Sequence, residues 1–93
     1  MKLKDTIDLM ISEDYKDRFK AEYQQLKIRA NKLNTMLKKY KDGTLEFAPK
    51  CSYEVLYEQF VHMKDYLDDL EKRANIEGIS LLWLNDGAPN NAS

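Results

Sequence analysis

Apolar residues recur at alternating steps of four and three positions in two long stretches of this chain that contain no glycine or proline. The first stretch runs from Glu13 to Lys41, and the second begins after Ser52 and ends at Glu77. This spacing keeps the apolar side chains on one face of an α-helix, so it predicts two long helices that pack along a heptad seam. The seam positions are Phe19, Tyr23, Leu26, Ala30, Leu33, Leu37 and Tyr40 in the first stretch and Tyr53, Leu56, Phe60, Met63, Leu67, Leu70 and Ala74 in the second.

Capping residues set the expected ends of these helices. Ser12 and Ser52 are the predicted N-caps, because a serine side chain accepts a hydrogen bond from an unpaired amide of the first turn. Gly43 and Gly78 are the predicted stops, since glycine readily adopts the left-handed conformation that ends a helix. Pro49 keeps the intervening segment out of a helix.

We therefore expect an all-α fold, a long antiparallel helical hairpin preceded by a short helix. The helical domain should span residues 1–78, with a short helix at about 5–11, capped by Asp5 or Thr6, and long helices at about 13–41 and 53–77. Leu45 and Phe47 should pin the connecting loop to the helix ends. Residues 79–93 read as an apolar segment followed by a flexible C-terminal tail.

A second set of apolar residues lies off the heptad seam, where a two-helix hairpin does not bury it. The short first helix should cover part of this surface, and a second copy of the chain should cover the rest, so the sequence predicts a homo-oligomeric helical bundle. The off-seam residues are Ile28, Met36, Tyr57, Val61 and Tyr66.

The charge balance excludes a general affinity for nucleic acids or anionic membranes. Lys and Arg total 15, Asp and Glu total 16, and the net charge is −1, so we expect no DNA, RNA or membrane partner and any anion site must be local. No run of residues is long and apolar enough to span a bilayer, and the start of the chain lacks a signal-peptide pattern. Cys51 is the only cysteine, so an intramolecular disulfide is impossible. This favours a protein of the reducing cytosol.

Catalytic and metal-binding constellations are scarce. His62 is the only histidine, and Glu58 four positions before it does not complete a metal site. Cys51 has no evident base, and a structural thiol is the better interpretation. There is no glycine-rich phosphate loop. The pattern indicates a binding protein rather than an enzyme, with no cofactor and no metal.

Basic residues concentrate in the second half of the first long helix, and two interpretations of them remain open. A solvated, dipole-complementing helix end is the simpler one. The other is a local anion site, with Tyr23 or Tyr40 nearby to stack on a planar group. Arg73, near the end of the second helix, carries the same two interpretations. The cluster consists of Lys27, Arg29, Lys32, Lys38, Lys39 and Lys41.

Several segments together resemble a family of small helical proteins of tailed phages. This family includes the anti-CBASS sponges, which sequester the cyclic oligonucleotide messengers of bacterial antiphage defence. The resemblance covers about Tyr15 to Ile79, and the Trp83-containing segment has no counterpart in it. The segments that carry it are residues 23–40, the Gly43-Thr44-Leu45 turn, residues 58–71 and the stretch Lys72-Arg73-Ala74 to Ile79.

The resemblance implies a compact homohexamer that binds cyclic dinucleotides at one kind of interface and cyclic trinucleotides at another without degrading them. By motif position, Tyr23 would stack on a base, Lys38 would contact a phosphate with Lys39 beside it, and Arg73 would serve the trinucleotide site. The resemblance also leads us to expect a residue that offers a hydroxyl group to the ligand just after the lysine that contacts the phosphate. Such a partner is not evident here, since Lys39 and Tyr40 occupy those positions. The expected location is the cytoplasm of the infected bacterial host. The alternative is a helical interaction module that binds a host protein directly.

Overall fold

The computed structural model describes residues 2–81, and within that range the chain is helical with no strand. The all-α class predicted from the heptad pattern is confirmed. Trp83 and the rest of the predicted tail lie outside the described residues. The elements, in chain order, are a 3₁₀ turn at Leu3–Thr6, a single-turn helix α1 at Ile7–Met10, and the long helices α2 at Tyr15–Asp42 and α3 at Tyr53–Glu77.

The N-cap predictions are right for α3 and wrong for α2. The Ser52 side chain accepts a hydrogen bond from the backbone N of Val55 at 3.3 Å. At the start of α2 the cap is Asp14, whose Oδ1 accepts from the backbone N of Lys16 at 2.9 Å. Ser12 instead supports the turn before the helix, because its Oγ accepts from the backbone N of Asp14 at 3.0 Å.

The N-terminal segment is less regular than the single short helix that the sequence predicts. Thr6 precedes α1 but does not cap it with its side chain, because its Oγ1 donates to the carbonyl oxygen of Leu3 at 2.7 Å. The same hydroxyl accepts from Nε2 of Gln25 at 2.9 Å, which fastens the segment to α2. Thr6 is fully buried in this contact. Ala21 and Gln24, which lie off the seam on the same side of α2 as Gln25, are buried as well.

Both long helices end at glycines in the left-handed conformation, as predicted. Gly43 has φ +76° and Gly78 has φ +72°. The reversal lets the backbone N of Thr44 donate to Lys39 O and that of Ile79 donate to Ala74 O, both at 2.9 Å. The N–H of each terminal glycine donates to the same carbonyl oxygen, Lys39 O for Gly43 and Ala74 O for Gly78, so the left-handed residue closes the end of the helix.

The core of the molecule is the seam between α2 and α3. Seam residues from both helices form one buried cluster, and Ile79 and Leu81 join it after the chain leaves α3. The core therefore extends beyond the hairpin into the apolar segment that follows Gly78. The buried members are Phe19, Tyr23, Ala30, Leu67, Leu70, Ala74, Ile79 and Leu81, with Leu26, Phe60 and Met63 packed against them.

The apolar residues off the seam divide into two groups. Ile28 and Met36 on α2 are half-buried, whereas Tyr57, Val61 and Tyr66 on α3 are exposed. The chain by itself therefore leaves apolar side chains open to solvent on two sides of α3, Tyr57 and Val61 on one side and Tyr66 on the other.

Candidate functional site

Tyr23 lies in the core of the hairpin. Its side chain is 1% exposed, and its hydroxyl donates to Oε2 of Glu71 on α3 at 2.8 Å. Burial raises the pKa of this hydroxyl well above its ordinary value, and the bond to Glu71 and the charge of Glu71 raise it further. The ring is therefore enclosed by its own chain, and it presents no open face on which a base could stack.

The groove outside the Tyr23–Glu71 contact is polar and carries more acidic than basic groups. It measures about 350 Å³ and is lined by Asp68, Glu71, Lys72 and Asn75. Two carboxylates against one ammonium group disfavour a phosphate in this groove.

Lys38 and Lys39 are exposed in the last two turns of α2, near its C-terminal end. Successive helix residues are rotated by about 100°, so the two side chains leave the helix in different directions. Within the described range 2–81, neither lysine forms an ion pair, and neither does Lys41. This end of α2 therefore carries three exposed cations, of which Lys38 and Lys41 lie on the same side of the helix.

Tyr23 and Lys38 are far apart within one chain. They are separated by 15 positions on the same helix, which is about 22 Å at ~1.5 Å per residue. A single small ligand does not span that distance. If both residues contact the same ligand, they belong to different copies of the chain.

Arg73 lies at the opposite end of the hairpin from the lysines, and three groups hold it. Its Nη2 donates to the hydroxyl oxygen of Tyr15 at 2.6 Å, and its Nε lies 3.5 Å from Oε2 of Glu77. The guanidinium carbon is 4.9 Å from the centroid of the Phe19 ring, within the range of a cation–π contact. The side chain remains 48% exposed. The planar guanidinium thus lies on the Phe19 ring, and part of the guanidinium surface is open to solvent. Any anion that binds there has to compete with the carboxylate of Glu77.

Aromatic rings accompany the lysines at the other end. The Tyr40 and Tyr53 rings meet edge to face with centroids 5.7 Å apart, and the Tyr53 and Tyr57 rings lie 6.1 Å apart with planes 14° from parallel. Beside Tyr40 the connecting loop forms a shallow depression of about 240 Å³. The residues around it are Tyr40, Gly43, Leu45, Phe47, Ala48 and Pro49.

Of these four residues only Tyr40 was predicted from the sequence to stack on a ligand; Tyr53 was assigned to the seam, Tyr57 to the off-seam apolar set and Phe47 to the packing of the loop. The four-residue spacing of Tyr53 and Tyr57 on a predicted helix was the available signal, because residues at i and i+4 are neighbours. The expectation that Phe47 pins the loop is wrong, since its side chain is 59% exposed, whereas Leu45 is half-buried.

The described part of the chain shows neither a metal-binding cluster nor a membrane span. Residues 2–81 contain no group of three or more His, Cys, Asp or Glu side chains arranged to hold an ion. No helix in that range combines the length and the apolar character that crossing a bilayer requires. Cys51 is exposed in the connecting loop.

Comparison with known protein families places the chain in one of them. The family model described as Sequestin matches residues 13–76, which include α2, the connecting loop and nearly all of α3. Among curated proteins and solved structures, none matches the chain significantly.

Proposed function

Since the chain belongs to the Sequestin family, the family of phage cyclic-oligonucleotide sponges, we propose that it captures cyclic di- and trinucleotides and holds them without degrading them. The observation that carries this proposal is the family match over residues 13–76. By lowering the free messenger in the cytoplasm of the infected host, the protein would keep CBASS effectors inactive.

The cation sites support binding of anions at two separate places. In this proposal Lys38, with Lys39 beside it, contacts the phosphates of a cyclic dinucleotide at one end of the hairpin. Arg73 contacts the phosphates of a cyclic trinucleotide at the other end, where its planar fork suits a phosphate. Lys38 lies 23 positions further along α2 than Tyr15, the partner of Arg73, or about 35 Å at ~1.5 Å per residue. The two proposed sites are therefore separate within one chain.

The proposal requires a homo-oligomer, which we take to be a hexamer. A cyclic dinucleotide has two equivalent halves and a cyclic trinucleotide has three, so two-fold and three-fold axes between identical chains present matching groups to each. Exposed apolar side chains on two sides of α3, Tyr57 and Val61 on one and Tyr66 on the other, are available for such contacts to bury.

Tyr23 remains the stacking residue that the motif position predicts, and its burial sets a condition on that role. The ring has to leave the core and the bond to Glu71 has to break before a base reaches it. Ligand binding through Tyr23 would thus include a rearrangement of the α2–α3 contact.

The experiment is a capture-and-release assay. The purified protein is incubated with cyclic dinucleotides and trinucleotides, separated from free ligand, and heated, and the released ligand is identified by chromatography. Intact ligand recovered only after heating supports the sponge. Cleaved ligand would instead mean an enzyme.

A protein-interaction module is the second candidate, and the exposed apolar surface of α3 is the observation in its favour. In that case the same assay finds all of the nucleotide free before heating.

A further inference from the structure

After Gly78 the chain buries every second side chain in the core. Ile79 and Leu81 are both buried, whereas Ser80 between them is exposed. The backbone N of Ile79 donates to Ala74 O at 2.9 Å, so this stretch starts at the last turn of α3. Burial of alternate residues is the pattern of an extended backbone, in which every second side chain lies on the same side. We call residues 79–83 the strap.

The strap enters the core beside the first half of α2. Nη2 of Arg73 donates to the hydroxyl of Tyr15 at 2.6 Å, which places the end of α3 next to the start of α2. Leu81 follows Ile79 by two positions, at most about 7 Å of extended chain. Leu81 therefore lies at the same end of the hairpin, in the buried cluster that also contains Tyr23.

Gln24, the neighbour of Tyr23 on α2, carries a buried acceptor that lacks a donor. Its side chain is 4% exposed, and no donor among the described residues lies within hydrogen-bond distance of its Oε1. The polar groups that join α2 to the N-terminal segment are engaged elsewhere, because Thr6 Oγ1 donates to Leu3 O and Gln25 Nε2 donates to Thr6 Oγ1. A buried amide oxygen is nearly always paired in a folded protein, so this one requires a donor.

Trp83 is the next inward position of the strap, two residues after Leu81. It is the only tryptophan of the chain, and it stands between two leucines in a run without charge. Its ring is large enough to cover the flank of a helix, and its indole N–H can only donate, so a buried tryptophan needs an acceptor. Two further residues of extended chain reach about 7 Å beyond Leu81, and Gln24 is adjacent in the sequence to Tyr23 of the same cluster.

We infer that Trp83 docks on the flank of α2 at Gln24, where its indole Nε1–H donates to Gln24 Oε1. The contact gives the buried oxygen its donor and the indole its acceptor, and it continues the burial of alternate residues that Ile79 and Leu81 begin. The strap lies after residue 76, where the family match ends. The contact therefore does not follow from family membership, and it requires no nucleotide.

The first test follows the single indole N–H resonance of the full chain by NMR, without ligand. In the wild type this proton should exchange with solvent at least about tenfold more slowly than in the urea-unfolded chain. Gln24→Met, which keeps the length of the side chain and removes the acceptor, should accelerate the exchange and shift the resonance. Gln25→Met is the matched control, because it breaks the bonds to Thr6 and Met10 and should leave the indole exchange unchanged. Circular dichroism checks that both variants are folded.

The second test is a double-mutant cycle of Gln24→Met and Trp83→Phe, measured by urea denaturation. The two changes should be coupled by about fivefold in the unfolding equilibrium constant, because each removes the same hydrogen bond.

Rapid indole exchange in the wild type would overturn the inference, and so would a protected indole that Gln24→Met leaves unaffected. An equal effect of Gln25→Met, or the absence of coupling in the cycle, also contradicts it. Protection that disappears on dilution would place Trp83 against a second copy of the chain instead. None of these outcomes bears on nucleotide capture, so the inference and the proposed function fail separately.

Discussion

The hydroxyl of Tyr23 on α2 donates to a carboxylate oxygen of Glu71 on α3 at 2.8 Å, across a separation of 48 positions in the chain. A second bond of the same kind joins Tyr66 on α3 to Glu22 on α2. The first lies against the core and the second is exposed. The two tyrosine–carboxylate bonds tie the helices together and fix how one is positioned along the other.

Removal of the Tyr23 hydroxyl should cost little stability, and removal of its ring should cost much more. Tyr23→Phe loses one hydrogen bond to a carboxylate that water can then solvate, about 1 kcal/mol. Tyr23→Ala leaves a cavity in the seam, about 3–5 kcal/mol, which is a large part of the ~5–14 kcal/mol that a chain of this size has. Urea denaturation measures both, with Tyr66→Phe as the exposed control. Equal stability of the alanine variant and the wild type would contradict the buried placement.

The stability of the fold should decrease above about pH 10, and Tyr23 should be one cause. The folded-state pKa of its hydroxyl is raised from the ordinary value of 10.0. Its contribution is therefore fully present below pH 10, and it is lost above that pH because the unfolded chain releases the proton first. The free energy of unfolding should fall by at most about 1.4 kcal/mol per pH unit because of this one group. Unfolding free energies measured from pH 8 to 11 should fall less steeply for Tyr23→Phe than for the wild type.

The helix stop at Gly78 should be sensitive to any side chain. Its φ of +72° is one that L-residues adopt at a cost of about 1–2 kcal/mol, although no atom lies within 4 Å of where a Cβ would be. Gly78→Ala should therefore destabilise the fold through backbone strain alone, and Gly78→Asn should do so less, since asparagine tolerates this conformation better. Thermal denaturation followed by circular dichroism provides the comparison. Two variants of equal stability would argue against strain as the cause.

The heptad pattern was sufficient to predict the all-α class, the two long helices and the glycine stops. The seam positions Phe19, Leu67 and Leu70 are buried as their spacing required. The family resemblance drawn from the residues is confirmed by the match over residues 13–76.

Details that depend on competition between neighbouring groups were not predictable. Ser12 and Asp14 are both good caps, and only the path of the backbone decides that Asp14 caps α2. The seam spacing predicts that Tyr23 packs in the core, whereas its motif position predicts that it contacts a ligand. The sequence does not decide between these two roles for the free chain. The row of Tyr40, Tyr53 and Tyr57 depends on how α2 and α3 meet at the loop, which periodicity leaves open.

Arg73 should bind a cyclic trinucleotide more tightly when its competing carboxylate is removed. Glu77→Gln eliminates the ion pair at 3.5 Å and should strengthen binding a few-fold, because the guanidinium no longer has to exchange one anion for another. Tyr15→Phe removes the hydroxyl that accepts from Nη2 at 2.6 Å and should weaken binding, since the guanidinium loses a positioning contact. Arg73→Gln should abolish binding of the cyclic trinucleotide. Calorimetry with the trinucleotide gives the three values, and the cyclic dinucleotide, whose proposed site lies at the other end, is the control ligand. Weaker binding by Glu77→Gln would show that the carboxylate orients the arginine instead of competing for the anion.

Assembly should depend on the exposed apolar residues of α3. Val61 is exposed on the helix surface and is not part of the core cluster, so Val61→Glu should leave the hairpin folded while placing a charge in any interface that this surface forms. We expect native mass spectrometry to show a homo-oligomer for the wild type and smaller species for Val61→Glu, with a parallel loss of cyclic dinucleotide capture. Thr35→Glu, at an exposed polar position on α2, adds the same single negative charge on the other long helix and is the control. A monomeric wild type that still captures the dinucleotide would separate binding from assembly, and it would place the whole site on one chain.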